Sequence, residues 1–294
     1  MWDRIAPLMP ADPVRGRRWA DHRRTLEAIA WKYRTNSPWR DLPDELGPFQ
    51  TAHKRLIRWA VDGTWEIILA AVLAAADADD DIDWTVSVDS TVVRAHQHAA
   101  GARKRGQPDP ASPPITRSRT LPGRAEHEGP PGRGRLGRSR GGLSTKVHLA
   151  ADGGARPLSF TLTAGQAGDA PAFETVMSRI RVPRGGPGRP RTRPLAVLAD
   201  RAYSSRAIRS HLRRRGIRAV IPQPSDQIGH RLRRGRRGGR PPRFDREVYK
   251  QRNTVERCIN RLKQWRGLAT RTDKLAIAYE AALHLAGVLI WARR

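Results

Sequence analysis

Cysteine is almost missing from this 294-residue chain. The one residue, Cys258, excludes an internal disulfide and a cysteine zinc cage. No run approaches ~18 consecutive apolar residues, the length a membrane helix needs. The opening MWDRIAPLMP lacks the charged and apolar regions of a signal peptide. The expected location is the cytoplasm, with no membrane partner. Acid is scarce too: 28 Asp+Glu face 56 Lys+Arg, a formal net charge of +28. Self-repulsion of that size is tolerated mainly where a polyanion neutralises it, so nucleic acid is the leading partner and a nucleoid-associated protein is expected.

Residues 1–76 read as helical. WADHRRTLEAIAWKYR and AHKRLIRWAVDGTWEIILAAVLAAA both carry apolar residues at three- and four-residue spacing, with a turn-rich connector between them. Basic faces suit a DNA-binding module of the helix-turn-helix kind, and a packing or dimerisation domain fits nearly as well. DADDDID, residues 77–83, reads as a solvated acidic linker that closes this domain.

From residue 84 onward, short β-rich runs alternate with helical ones. WTVSVD (84–89), TKVHLAAD (145–152), PLSFTLTAG (157–165), LAVLAD (195–200) and IRAVIP (217–222) predict five strands, the second and third forming a hairpin around Gly153 and Gly154. Helices are expected over about 170–181, capped by Asp169, and from a Ser204 cap to Gly216. The pattern describes an α/β domain over 84–294: a mixed sheet with helices on its faces. Two basic insertions, about 95–143 and 223–244, interrupt it. The second carries Arg231, Arg233, Arg234, Arg236 and Arg237 and reads as a loop for phosphate.

Asp89 and Asp200 each end a predicted strand, where open sheets place functional residues. If those strands are neighbours, their carboxylates converge. A third acid is available on YKQRNTVERCINRLK. At ~100° per residue, Tyr249, Arg252, Glu256, Asn260 and Lys263 fall in one stripe roughly 80° wide, apart from the apolar sector of Val255, Cys258, Ile259 and Leu262. A solvated face with an Arg252–Glu256 pair explains that stripe equally well in isolation. Three convergent carboxylates, however, raise one another's pKa values or demand a cation. Hard oxygen ligands suit Mg2+, with Mn2+ as a substitute, and two such ions would clamp an in-line phosphoryl displacement.

The spacing Tyr249, Arg252, Glu256, Lys263 resembles the signature of DDE transposases from bacterial insertion sequences of the IS-five type. VDSTVVRAHQHAAGARK, GRSRGGLSTKVHLAADG, LADRAYSSRAIRSHLRRRGIRAVIP and the N-terminal PWRDLPDELGPFQTAHKRLIRWAVDGTWE resemble that family's other blocks, in order, over nearly the whole chain. The resemblance implies a ribonuclease-H-like domain and a divalent-metal triad of Asp89, Asp200 and Glu256, with Tyr249, Arg252 and Lys263 as accessory residues. It further implies cut-and-paste chemistry on double-stranded DNA, at terminal inverted repeats and a target site, by a homo-oligomer pairing two ends. Relatives often carry an aspartate after the tyrosine of the second block; this chain has Ser204. A domesticated, inactive nucleic-acid binder of transposase origin is the alternative, and a plain ribonuclease-H-like nuclease a weaker third.

His96 and His98 read as DNA contacts or an assist near the metals rather than zinc ligands. Trp59 and Trp65 read as core, with Trp39 left open between core and base stacking. Asp152 suits a turn, Asp169 and Asp245 helix caps, and Asp226 a loop.

Overall fold

A computed structural model describes residues 2–13, 18–100 and 135–293. Most of the first basic insertion, 101–134, lies outside the described residues. After a short helical turn at Trp2–Ile5, three longer helices follow. Helix α1 (His22–Thr35) starts at Asp21, whose carboxylate accepts from the Arg24 amide at 2.6 Å, and stops at Asn36 in the left-handed conformation. Helices α2 (Phe49–Val61) and α3 (Thr64–Ala78) are separated by a sharp turn in which Gly63 takes φ 82° and Asp62 accepts from the Thr64 amide. Trp59 and Trp65 are fully buried and stack edge to face at 5.3 Å, as core residues should. Trp39 also packs inward, edge-on to His53 and Tyr33. Among the described residues no single helix is long and apolar enough to cross a membrane.

The sheet is built from β1 (Thr85–Ala95), β2 (Gly142–Ala151), β3 (Pro157–Ala164), β4 (Ala196–Ala199) and β5 (Arg218–Val220). Their order is β3-β2-β1-β4-β5, with β2 antiparallel to its neighbours and β1, β4 and β5 parallel. This is the mixed sheet expected, extended by short strands at Gly137–Ser139 and Thr270–Arg271. The β2–β3 turn is closed by Asp152, which accepts from the Arg156 amide at 2.7 Å and from its guanidinium. On the sheet's faces lie α4 (Asp169–Ser178), α5 (Arg206–Arg214), α7 (Asn253–Lys263) and α8 (Ala276–Ala292), while α6 (Ser225–Arg233) has no buried residue.

Several expectations are corrected. Asp89 does not end its strand. The β-branched residues after it stay extended, and β1 continues to Ala95 because β2 pairs with it as far as Arg94. Helix α5 is capped by Ser205, not Ser204; the Ser204 hydroxyl is buried against Arg209 and Gln227. Asp226 lies in the first turn of α6, so the segment 223–244 carries a helix where a loop is predicted. Nor is the acidic run a solvated hinge. Asp77 accepts from Trp84 and Arg191, Asp81 pairs with Arg156, and Asp83 accepts from the Thr85 amide.

The N-terminal helices share one core with the sheet. Helix α8 lies between them: it packs on α2 and α3 on one side and β3 on the other, and nearly all its residues are buried. A second junction is made by Gly267, where a Cβ would meet the Cα and carbonyl oxygen of Tyr33 at 3.0 Å. Only glycine lets the chain after α7 approach the backbone of α1 so closely.

Candidate active site

The buried apolar run of β4 ends at Ala199, and the next residue is polar. Asp200 leaves the sheet and caps a short turn, accepting from the Ala202 amide at 2.9 Å. Since Val88 pairs with Ala199, Asp89 and Asp200 each follow the last residues paired between two adjacent parallel strands, ~4.8 Å apart. There β4 stops while β1 runs on, which leaves a notch in the sheet beside the two carboxylates.

Helix α7 crosses this region because Val255, Cys258, Ile259 and Leu262 form one apolar face against β1 and β2. The Thr254 hydroxyl bonds the Ser87 hydroxyl at 2.8 Å and pins the start of the helix to β1. Ser87 and Asp89 lie on the same face of the strand, so Asp89 faces the chain entering α7. Arg252 fills the gap. It donates to Asp89 at 2.6 Å and to Glu256 at 2.7 Å.

The charges respond accordingly. Burial holds the Asp89 carboxyl above its ordinary range; Asp200 and Glu256 add to the rise, while the Ser90 amide and Arg252 oppose it. Arg252 is held above its ordinary range although burial works against it, because Asp89 and Glu256 outweigh burial. The guanidinium thus takes the place of a cation among the acids. Among the described residues no three His, Cys, Asp or Glu side chains are grouped closely enough to hold a metal as they stand. The oxygen donors fit a hard divalent ion once Arg252 withdraws: Asp89 and Glu256 already converge on one positive charge, and Asp200 flanks them.

Other expected residues divide into two groups. Tyr249 rests on the sheet beside Asp200, packed against Phe244 and near Ala196, Leu198 and Val220. Asn260 is exposed and Lys263 half-exposed further along the same helix. The helical path is less regular than the stripe predicts, running as a turn at Arg246–Tyr249, a 3-10 turn at Lys250–Arg252, then α7. Asp245 caps the first of these, as expected. His96 and His98 are not beside the acids. The longer β1 carries them roughly 20 Å along the strand from Asp89, at ~3.3 Å per residue. There their rings meet edge-on at 4.4 Å, and the His96 amide donates to the Arg271 carbonyl. Arg233, Arg234, Arg236 and Arg237 are exposed on α6 and the turn after it; Arg231 is half-buried.

One group escaped the sequence reading. Asp169 is no cap. It is the first residue of α4, and it accepts from the Ser90 hydroxyl at 2.6 Å and from Lys146 at 3.0 Å. His148 lies 3.8 Å from it, and Tyr203 is buried nearby. A signal was present in TKVHLAAD: Lys146 and His148, two apart, must share one face of a strand that is otherwise apolar.

Comparison with known proteins agrees with this architecture. Residues 1–69 match the family described as "Putative transposase of IS4/5 family", and residues 81–291 match the "Transposase DDE domain". The chain is 39% identical over 105 residues to the "Uncharacterized protein y4sN" of Sinorhizobium fredii, covering 35% of this chain and 79% of the relative. It is 29% identical to the "Putative transposase for insertion sequence element IS6501" of Brucella ovis, over 51% of this chain and all of the relative. The solved "Mos1 transposase paired-end complex with left transposon end" matches at 12% identity, over 87% of this chain and 82% of that one. Its TM-score of 0.24 is too low to transfer anything to this chain. With the DDE-domain match spanning most of its length, the chain belongs to the DDE transposase family of insertion sequences.

Proposed function

We propose that this transposase cuts the phosphodiester at the ends of its element and joins the freed end to target DNA. Asp89, Asp200 and Glu256 would hold the divalent cation, Mg2+ or Mn2+, as a pair of ions. When bound, the metal supplies Lewis acidity and neutralises charge on the phosphoryl group. The residues of the chain do the rest. The carboxylates orient the attacking water. Its oxygen forms a bond to phosphorus as the P–O3′ bond breaks, which frees a 3′-hydroxyl. That hydroxyl then attacks a target phosphodiester in the same manner, with no covalent protein intermediate.

Arg252, released from the acids, turns to phosphate, with Tyr249, Asn260 and Lys263 along the same line. Arg231, Arg233, Arg234, Arg236 and Arg237 follow the DNA backbone, and the helical region 1–76 binds the terminal inverted repeats. Two copies pair the two ends. The observation that carries this reading is the bridge from Asp89 through Arg252 to Glu256, beside the strand that delivers Asp200.

The deciding assay incubates the protein with Mg2+ and DNA carrying the repeats that flank its gene, and scores 3′-end cleavage and strand transfer. Both products are expected, and both should vanish in Asp89→Ala, Asp200→Ala and Glu256→Ala while DNA binding persists. Cleavage without joining would reduce the function to that of a nuclease. Binding with a steep salt dependence, no cleavage and no response to the three substitutions would leave a domesticated DNA-binding protein.

A further inference from the structure

We propose that Asp169 is a positioning residue that ties the two aspartate-bearing segments together and thereby sets the spacing at which Asp89 and Asp200 receive a divalent cation. This rests on the metal-binding reading above.

The geometry begins at Ser90. Its amide donates to Asp89 at 2.8 Å, and its hydroxyl, on the opposite face of β1, donates to Asp169 at 2.6 Å. One residue therefore touches both carboxylates, and moving Ser90 moves Asp89. Asp169 is itself held from a third strand position. Lys146 donates to it at 3.0 Å and to the Ala167 carbonyl at 2.7 Å, which anchors the lysine to the turn that leads into α4. Hydrogen bonds from Ser90 and Lys146 keep the Asp169 carboxyl below its ordinary range, although burial acts the other way.

The second segment arrives through Tyr203, at the end of the turn that Asp200 caps. Its ring is 1% exposed and packs on Phe173 of α4 at 5.8 Å. The hydroxyl is turned toward Ser90 but has no partner at bonding distance. Burial raises its pKa, and of the nearby charges Asp169 acts most strongly, ahead of Asp89 and Asp200. A buried hydroxyl is costly to leave unpaired, and the polar group it faces is Ser90, already held by Asp169. The start of α4 is thus where the chain after Asp89 and the chain after Asp200 meet, behind the face that carries the acids.

The test measures Mn2+ binding to the purified full-length protein by electron paramagnetic resonance, beside thermal melting of the metal-free form. Ser90→Ala and Asp169→Ala should each weaken Mn2+ binding about 10- to 100-fold, the usual effect of losing a partner behind a metal ligand. The double variant should be no weaker than either single one, since both break one link. Asp169→Asn keeps the shape and an acceptor but loses the charge that Lys146 holds; it should fall between, and it serves if the alanine variant does not fold. Tyr203→Phe should weaken binding less than Ser90→Ala. Wild-type Mn2+ affinity in Ser90→Ala and Asp169→Asn would overturn the proposal, as would fully additive losses in the double variant. If the unaltered protein and Asp89→Ala bind Mn2+ alike, it is the metal site that fails instead.

Discussion

Arg252 and Asp89 stand 163 residues apart in sequence and are joined by a 2.6 Å hydrogen bond. Each side chain is about four-fifths buried, at 20% and 19% exposure, so this is not a pair that water screens away.

Removing the guanidinium leaves Asp89 buried without its counter-charge. In metal-free protein Arg252→Gln should therefore cost about 1–3 kcal/mol, the penalty of an unpaired buried charged partner. At about 2–4 °C per kcal/mol, that is a visible drop in the melting temperature. Added Mn2+ should restore more stability to the variant than it adds to the parent, because nothing has to be displaced. Equal melting of the two metal-free proteins would show that the bridge contributes nothing.

Acid should weaken the fold through His148. Burial pushes its pKa down from 6.5 to about 4; Lys146 helps and Asp169 opposes. The folded ring stays neutral while the unfolded one takes up a proton below 6.5, so between those limits the unfolded chain binds more protons. Stability should fall by up to about 3 kcal/mol as pH drops through that window. Urea midpoints measured across it in the parent and in His148→Gln check this: the variant's slope should be flatter.

Gly267→Ala separates two opposing effects. In an ordinary helix the change gains about 1 kcal/mol. Here the new methyl would press on the Cα and carbonyl oxygen of Tyr33 at 3.0 Å, and backbone atoms cannot turn aside. Overpacking of this kind costs about 1–3 kcal/mol, so the denaturant midpoint should fall. A rise would mean that the junction is looser than it stands.

Cys258 should be inert. It is fully buried on α7, and burial pushes its thiol pKa up despite Arg261 nearby. A thiol-reactive chromophore should label none of the native protein and all of it in guanidinium chloride.

The strands were legible because each combines a β-branched or apolar run with a turn signal, and the Asp89–Asp200 pairing follows once β1 and β4 are neighbours. The end of β1 was not, because STVVRA alternates as a strand should and only the partner strand β2 decides how far it extends. Helix α6 is hidden for another reason: SDQIGHRLR offers only two apolar residues, Ile228 and Leu232, one turn apart with Gly229 between them, too few to establish a period. Asp169 reads as a cap because an aspartate before a helix usually is one, and its partners, Ser90 and Lys146, come from two strands distant in sequence. The stripe sets Arg252 beside Glu256, yet its turn toward Asp89 is a tertiary contact that helical spacing alone cannot reveal.

Helix α8 carries one more consequence. The grooves of α2 and α3 that it fills belong to residues 49–78, whereas α8, residues 276–292, follows every proposed ligand in the sequence. A message cut short after the acids would release a chain with every proposed ligand present and an oily cleft left open. A stop ahead of α8 should therefore cost the protein its fold and not its chemistry alone.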